Sequence, residues 1–179
     1  ADITGIQMMT IDKAITIDMN GHNISGNPEW SAFKVVGGGT LTLDNTAEAQ
    51  SKLLVGKDHE YEAYFEGIRI VTGATGNAKA VVKGNVSIET GCPVFIAGNG
   101  TANSAQLDVY GKLEVSADLA SGDAYSAIQG NGTAGNGGTV INIFEGAEII
   151  NIYSSPLYIP QSGVVNIYGG TITGKSSAI

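Results

Sequence analysis

A four-residue pattern recurs six times along this 179-residue chain. Its copies are Ile15-Thr16-Ile17-Asp18, Leu41-Thr42-Leu43-Asp44, Ala80-Val81-Val82-Lys83, Leu107-Asp108-Val109-Tyr110, Ile141-Asn142-Ile143-Phe144 and Val165-Asn166-Ile167-Tyr168. Apolar side chains alternate with residues that are mostly polar, the period of a strand with one buried face. A Gly or Asn turn follows each copy: Asn20-Gly21, Asn45, Gly84-Asn85, Gly111, Gly146 and Gly169-Gly170. After most turns comes a second short alternating strand, marked by Val86 and Ile88, Leu113 and Val115, Ala147 and Ile149, and Ile172. A third element precedes the pattern. Pro93-Val94-Phe95-Ile96 and Pro156-Leu157-Tyr158-Ile159 are near copies of each other, and Ala127-Ile128 and Ala32-Phe33 hold similar places.

Each unit therefore reads strand, loop, strand, tight turn, strand. The equivalent positions Ile17, Leu43, Val82, Val109, Ile143 and Ile167 are 26, 39, 27, 34 and 24 residues apart. A constant strand pattern with variable loops is what a coiled solenoid produces. No unit can bury its own apolar face, so successive units must stack with these six side chains in one interior column. The fold expected is all-β: a right-handed parallel β-helix of about six coils, each of three short strands, forming a single domain over residues 1–179. With strands about 4.8 Å apart the core would be a rod roughly 25–30 Å long. A propeller would want longer repeats with fewer one-residue Gly turns, and an antiparallel sandwich would want two-residue hairpin turns between neighbours.

The stretch from Ile15 through Gly26, followed by Ala32 to Leu43, resembles the opening coils of secreted β-helix proteins of the pectin-lyase-like superfamily. Ser155 to Gly174 resembles their later coils. The resemblance is to non-catalytic members in phage fibre or head-fibre proteins and in gut Firmicutes surface proteins. It implies an extracellular rod that attaches to or decorates a surface. The superfamily also holds enzymes that cleave acidic polysaccharides. Its hydrolases carry paired aspartates, a Gly-His-Gly and an Arg-Ile-Lys, whereas this chain has Gly21-His22-Asn23, Gly67-Ile68-Arg69-Ile70 and no Asp-Asp pair. The alternative of a polysaccharide lyase or hydrolase then rests on Asp18 and Asp44, which share an outward position on neighbouring coils. Two-carboxylate sugar chemistry needs acids about 5–9.5 Å apart; a ladder of solvated carboxylates is the simpler reading.

Nine basic residues face 17 acidic ones, a net charge of −8. That balance argues against nucleic acid and anionic membranes as partners, and no apolar run is long enough to insert in a bilayer. Cys92, the one cysteine, excludes an intrachain disulfide and reads as a small buried side chain. No cofactor is implied. Asp58, Glu60 and Glu62 would share one face of an extended segment and offer oxygen ligands to Ca²⁺, or they are the solvated side of a strand that buries Tyr61 and Ala63. His22 and His59 lack a partner at zinc-ligand spacing.

The outward residue after each interior pair reads Asp18, Asp44, Lys83, Tyr110, Phe144, Tyr168. The last three predict an aromatic ladder that binds a sugar or protein surface, or else shields the sheet by stacking on itself. Phe95 and Tyr158 repeat the idea on another face. Gly98-Asn99-Gly100-Thr101-Ala102 recurs verbatim as Gly130-Asn131-Gly132-Thr133-Ala134, and Thr72 to Asn77 is a looser match. These loops should stack at one corner. Asn99, Thr101, Asn131 and Thr133 are then candidate ligand contacts, or the glycines simply serve tight turns. Ser177-Ala178-Ile179 begins another coil, which raises the expectation of a longer rod or of capping by another chain, a trimer in the fibre case. The partner expected is a cell-surface glycan or protein.

Overall fold

The computed structural model describes residues 1–57, 59–73, 76–100, 104–117, 125–132 and 135–175. Among the described residues eighteen strands follow one another in six coils of three. The first coil is β1 (Met9–Ile11), β2 (Ala14–Asp18) and β3 (Ile24–Gly26); the second is β4 (Ser31–Val35), β5 (Thr40–Asp44) and β6 (Ser51–Val55). The third is β7 (Glu66–Val71), β8 (Ala78–Val82) and β9 (Val86–Thr90), and the fourth β10 (Cys92–Ala97), β11 (Ala105–Val109) and β12 (Lys112–Val115). The fifth is β13 (Ile128–Gln129), β14 (Thr139–Ile143) and β15 (Glu148–Asn151), and the sixth β16 (Leu157–Tyr158), β17 (Gly163–Ile167) and β18 (Thr171–Gly174). Every third strand joins the same sheet, so there are three parallel six-stranded sheets, beginning at β1, β2 and β3 and called sheets 1, 2 and 3. The fold is a right-handed parallel β-helix, the hand that right-twisted strands impose on parallel crossovers.

The register matches the interior column inferred from spacing. Ile17, Leu43, Val82, Val109, Ile143 and Ile167 are successive partners across sheet 2, and Leu107, Ile141 and Val165 lie over one another two residues earlier. Sheet 1 supplies the column Phe33, Ile68, Val94, Ile128, Leu157. Sheet 3 supplies Ile24, Leu53, Ile88, Leu113, Ile149, Ile172. In the middle coils these side chains are fully buried in one apolar cluster. Burying each such Leu or Ile stabilises by about 1.5–3 kcal/mol. At the sixth coil Val165 and Ile167 are exposed, because nothing among the described residues stacks on them.

Four strands, β1, β3, β6 and β7, extend the architecture beyond the segments recognisable from the repeat. Ser51-Lys52-Leu53-Leu54-Val55 breaks strict alternation, and β7 is displaced in the sequence by the long connection before it. Connections at two corners vary in length. Between sheets 3 and 1 they run from Gly91 alone to residues 56–65 and 116–127. Between sheets 2 and 3 the turns stay short, since Asn45 is buried there and bridges coils: its Oδ1 accepts from the Gly21 amide and its Nδ2 donates to the Ala49 and Asn85 carbonyls.

Candidate functional site

The corner between sheets 3 and 1 gathers most of the aromatic side chains that lie outside the repeat. Gly91 explains how. A Cβ at this position would stand 2.3 Å from the Ala63 backbone, closer than atoms can approach. With no side chain at 91, residues 59–65 fold down over the next coil and close with a 3₁₀ turn, Glu62–Tyr64. Two hydrogen bonds secure the base: Thr90 Oγ1 donates to the Val55 and Phe65 carbonyls. Two contacts reach forward: Ser116 Oγ donates to Glu62 Oε1 at 2.6 Å, and Tyr64 meets Tyr125 edge-on with ring centroids 6.1 Å apart.

This corner overturns the extended form expected of the acidic run. The segment turns, through Glu62 N–H to His59 O and Tyr64 N–H to Tyr61 O, so Glu60 and Glu62 do not share a strand face. Ala63 is buried but Tyr61 is 56 % exposed. Asp58 lies outside the described residues. Among the described residues no three His, Cys, Asp or Glu side chains come together to hold a metal ion.

Beside the corner a groove of about 530 Å³ runs over the outer face of sheet 1. It crosses β4, β7 and β10 and reaches residues flanking β1 and β13, from Met8 to Asn131. Its floor is an in-register outward column, Lys34, Arg69 and Phe95, which continues to Gln129 and Tyr158. Trp30, Tyr64 and Tyr125 line it as well. The Arg69 guanidinium lies 4.2 Å from the centre of the Phe95 ring and forms an ion pair with Glu66. Lys34 has no ion-pair partner among the described residues. Burial lifts the Glu66 carboxyl above the usual carboxylate range, more than the neighbouring Arg69 lowers it. Burial likewise pushes the Cys92 thiol well up, with the Glu66 charge adding to it. Glu66 Oε2 and Ser31 Oγ are buried against this groove without a hydrogen-bond partner. Unpaired buried oxygens are uncommon and cost free energy until something satisfies them.

The predicted aromatic ladder forms, and it closes on itself. Tyr110 and Phe144 stack at 4.1 Å with planes 2° apart, and Phe144 and Tyr168 at 5.1 Å and 19°. Each inner ring face is taken by its neighbour, so nothing can insert between them. The end ring, Tyr168, is 64 % exposed. Phe95 and Tyr158 share the sheet 1 column but are separated by Gln129. Asp18 and Asp44 are partners across β2 and β5, and both are engaged by turns. Asp18 accepts from the Thr46 hydroxyl and from the Thr46 and Asn20 amides, and Asp44 accepts from the Asn45 amide. The Thr46 hydrogen bonds hold the Asp18 carboxyl below its ordinary range.

Residues 98–100 of the first recurring loop lie at the corner between sheets 1 and 2, where they bond to Gly73 and to residues just past the second copy. Gly98 N–H donates to Asn136 O, Gly100 N–H to Gly135 O, and Asn99 Nδ2 to Gly73 O. A Cβ at 98 would fall 1.9 Å from the Gly137 carbonyl oxygen, so this glycine permits the close approach of two coils. The Asn131 amide donates to Gln161 Oε1 while its residue lines the groove. Thr101 and Thr133 lie outside the described residues.

Trp30, Lys34, Glu66, Arg69 and Tyr125 were not among the residues singled out from the sequence. One signal was available: the sole tryptophan stands in Asn27-Pro28-Glu29-Trp30, a turn-type segment where a large apolar ring has no periodic place. No protein family matches the chain, and no curated protein or solved structure matches it either. Among the described residues no helix is long and apolar enough to cross a membrane.

Proposed function

We propose that this chain is a non-catalytic extracellular scaffold that attaches to a surface by holding a glycan along its axis. The observation that carries the reading is the groove on sheet 1. Its floor column, Lys34, Arg69 and Phe95, gives one outward residue per coil at a pitch of about 4.8 Å, and its lining from Met8 to Asn131 spans five coils, or about 19 Å. That length suits several rings of an extended sugar chain. Rigid aromatic side chains offer faces to the apolar side of a pyranose. Arg69, Lys34 and the unpaired oxygens of Ser31 and Glu66 offer hydrogen bonds to its hydroxyls. The rod itself presents such groups on a rigid lattice, which limits the entropy lost on binding. We place the chain with the non-catalytic pectin-lyase-like β-helices of virion fibres or bacterial surfaces on the strength of the Ile15–Leu43 and Ser155–Gly174 stretches.

A carbohydrate array followed by calorimetry on the best ligand tests this. Arg69→Ala and Tyr125→Ala should each weaken binding by roughly tenfold, while Tyr168→Ala leaves it unchanged. Equal loss from all three, or no glycan bound at all, would refute the groove. The enzymatic alternative has one observation in its favour, the raised carboxyl of Glu66 beside Arg69, since a general acid needs such a shift. Incubation with pectin, alginate and hyaluronan, with and without Ca²⁺, decides it: new reducing or unsaturated ends that vanish in Glu66→Gln would make the chain an enzyme.

A further inference from the structure

On the far side of Trp30 and Tyr64 from the groove lies a separate cleft of about 480 Å³. Trp30, Tyr61 and Tyr64 line it and are 61 %, 56 % and 50 % exposed. Phe65 and His59 lie behind them, packed edge-to-face at 5.2 Å. The Tyr61 and Tyr64 rings are tilted by 59° with centroids 6.4 Å apart, so they present two non-parallel walls. His59 Nδ1 accepts the Tyr61 amide at 3.1 Å. Among the described residues Glu29 is the one carboxylate in the lining; it is exposed and makes no ion pair among them. Among the described residues no lysine or arginine lines the cleft, and the one cation seated on a ring elsewhere is Arg69 on Phe95.

We infer that this cleft is a binding site for a quaternary ammonium group of the choline type. Ring faces carry negative potential and attract a cation placed over them. The walls are mostly apolar and offer few hydrogen-bonding groups. A sugar or a primary ammonium, both of which keep strong hydrogen bonds to water, would therefore be poorly compensated here. A trimethylammonium group has an apolar surface and a diffuse positive charge. It needs no hydrogen bonds, and Glu29 supplies the opposite charge. The site is independent of glycan binding in the groove, although Trp30 and Tyr64 stand between the two.

Trp30 is the only tryptophan in the chain and lines both this cleft and the groove, so its fluorescence reports on ligand at either, and the variants below assign the change to the cleft. Titration of the full chain with choline chloride should change its emission saturably, with sodium chloride at equal ionic strength as the blank. The neutral isostere 3,3-dimethylbutan-1-ol should bind roughly tenfold more weakly, because it keeps the shape and loses the charge. Tyr61→Ala and Glu29→Gln should each weaken choline by about fivefold, and Tyr61→Phe should restore it. Both positions are exposed, and circular dichroism checks that each variant keeps its strands. Lys34→Ala and Arg69→Ala, which belong to the groove, should leave the choline titration unchanged while reducing glycan binding. Equal affinity for choline and its neutral isostere would overturn the proposal, as would the absence of saturation, or indifference to Tyr61→Ala and Glu29→Gln.

Discussion

Two sets of aromatic side chains sit on this rod, and they behave in opposite ways. Tyr110, Phe144 and Tyr168 occupy the same position in three successive coils, so the lattice brings their rings face to face and each uses up its neighbour. Trp30, Tyr61 and Tyr64 occupy unrelated positions in two irregular connections; the Tyr61 and Tyr64 rings are tilted against each other, and all three side chains stay exposed. Regular repetition at coil spacing favours stacking within the protein. Surface that a ligand can reach arises where the repetition breaks. Polar groups do not divide in the same way: on sheet 2, Lys79, Gln106, Asn142 and Asn166 form a connected ladder through Asp108, yet Thr139 in the same sheet keeps an unpaired buried oxygen, as Ser31 and Glu66 do beside the irregular corner.

The comparison can be broken most severely through the shared core. Leu107→Ala removes a fully buried side chain from the middle of the sheet 2 column. It should cost about 2–5 kcal/mol in denaturant unfolding and disturb both aromatic groups together. Gly91→Val acts on one group alone. It drives a side chain into the Ala63 backbone, so residues 59–65 must lift away. A loss of about 1–3 kcal/mol is expected, with a shift in Trp30 emission and a strand circular dichroism signal that persists.

Phe144→Ala is the converse. It deletes the middle ring of the ladder, and with two stacked pairs at about 0.5–1.5 kcal/mol each beyond area burial, it should lower stability by about 1–3 kcal/mol without moving Trp30 emission. Acid sharpens the same side. Burial would raise the Asp108 carboxyl, but hydrogen bonds from Asn142 and Gln106 and the pairing with Lys79 outweigh it and hold it below its ordinary value of 3.8. The stability this group contributes is therefore fully present above the unfolded value and is lost as pH falls through the lower folded one. Asp108→Asn should flatten that part of the acid-unfolding profile, read by pH titration of strand circular dichroism. Smallest of all is Tyr61→Ala, an exposed side chain whose removal should change stability by less than about 0.5 kcal/mol. If it proved strongly destabilising, Tyr61 would belong to the packing and the contrast with Phe144 would fail.

The interior was legible because it is periodic. Ile17, Leu43, Val82, Val109, Ile143 and Ile167 follow from the pattern alone, since a strand alternates every two residues and a solenoid repeats its register. Ser51–Val55 was harder to see because two adjacent leucines hide the alternation, and Glu66–Val71 because ten residues of corner precede it. The candidate site was mostly illegible for the same cause. Lys34, Arg69 and Phe95 are 35 and 26 residues apart, and only the coil lengths, counted through irregular corners, bring them into one column.

What the sequence determined by itself is the stacked apolar interior and the outward ladder, because both follow from local alternation carried from coil to coil. What the tertiary structure alone decided is the direction of the excursions. Gly91 lets residues 59–65 lie down over the next coil, and that places Tyr61 and Tyr64 beside Trp30. No local preference encodes this arrangement, because it depends on which backbone leaves room for which loop.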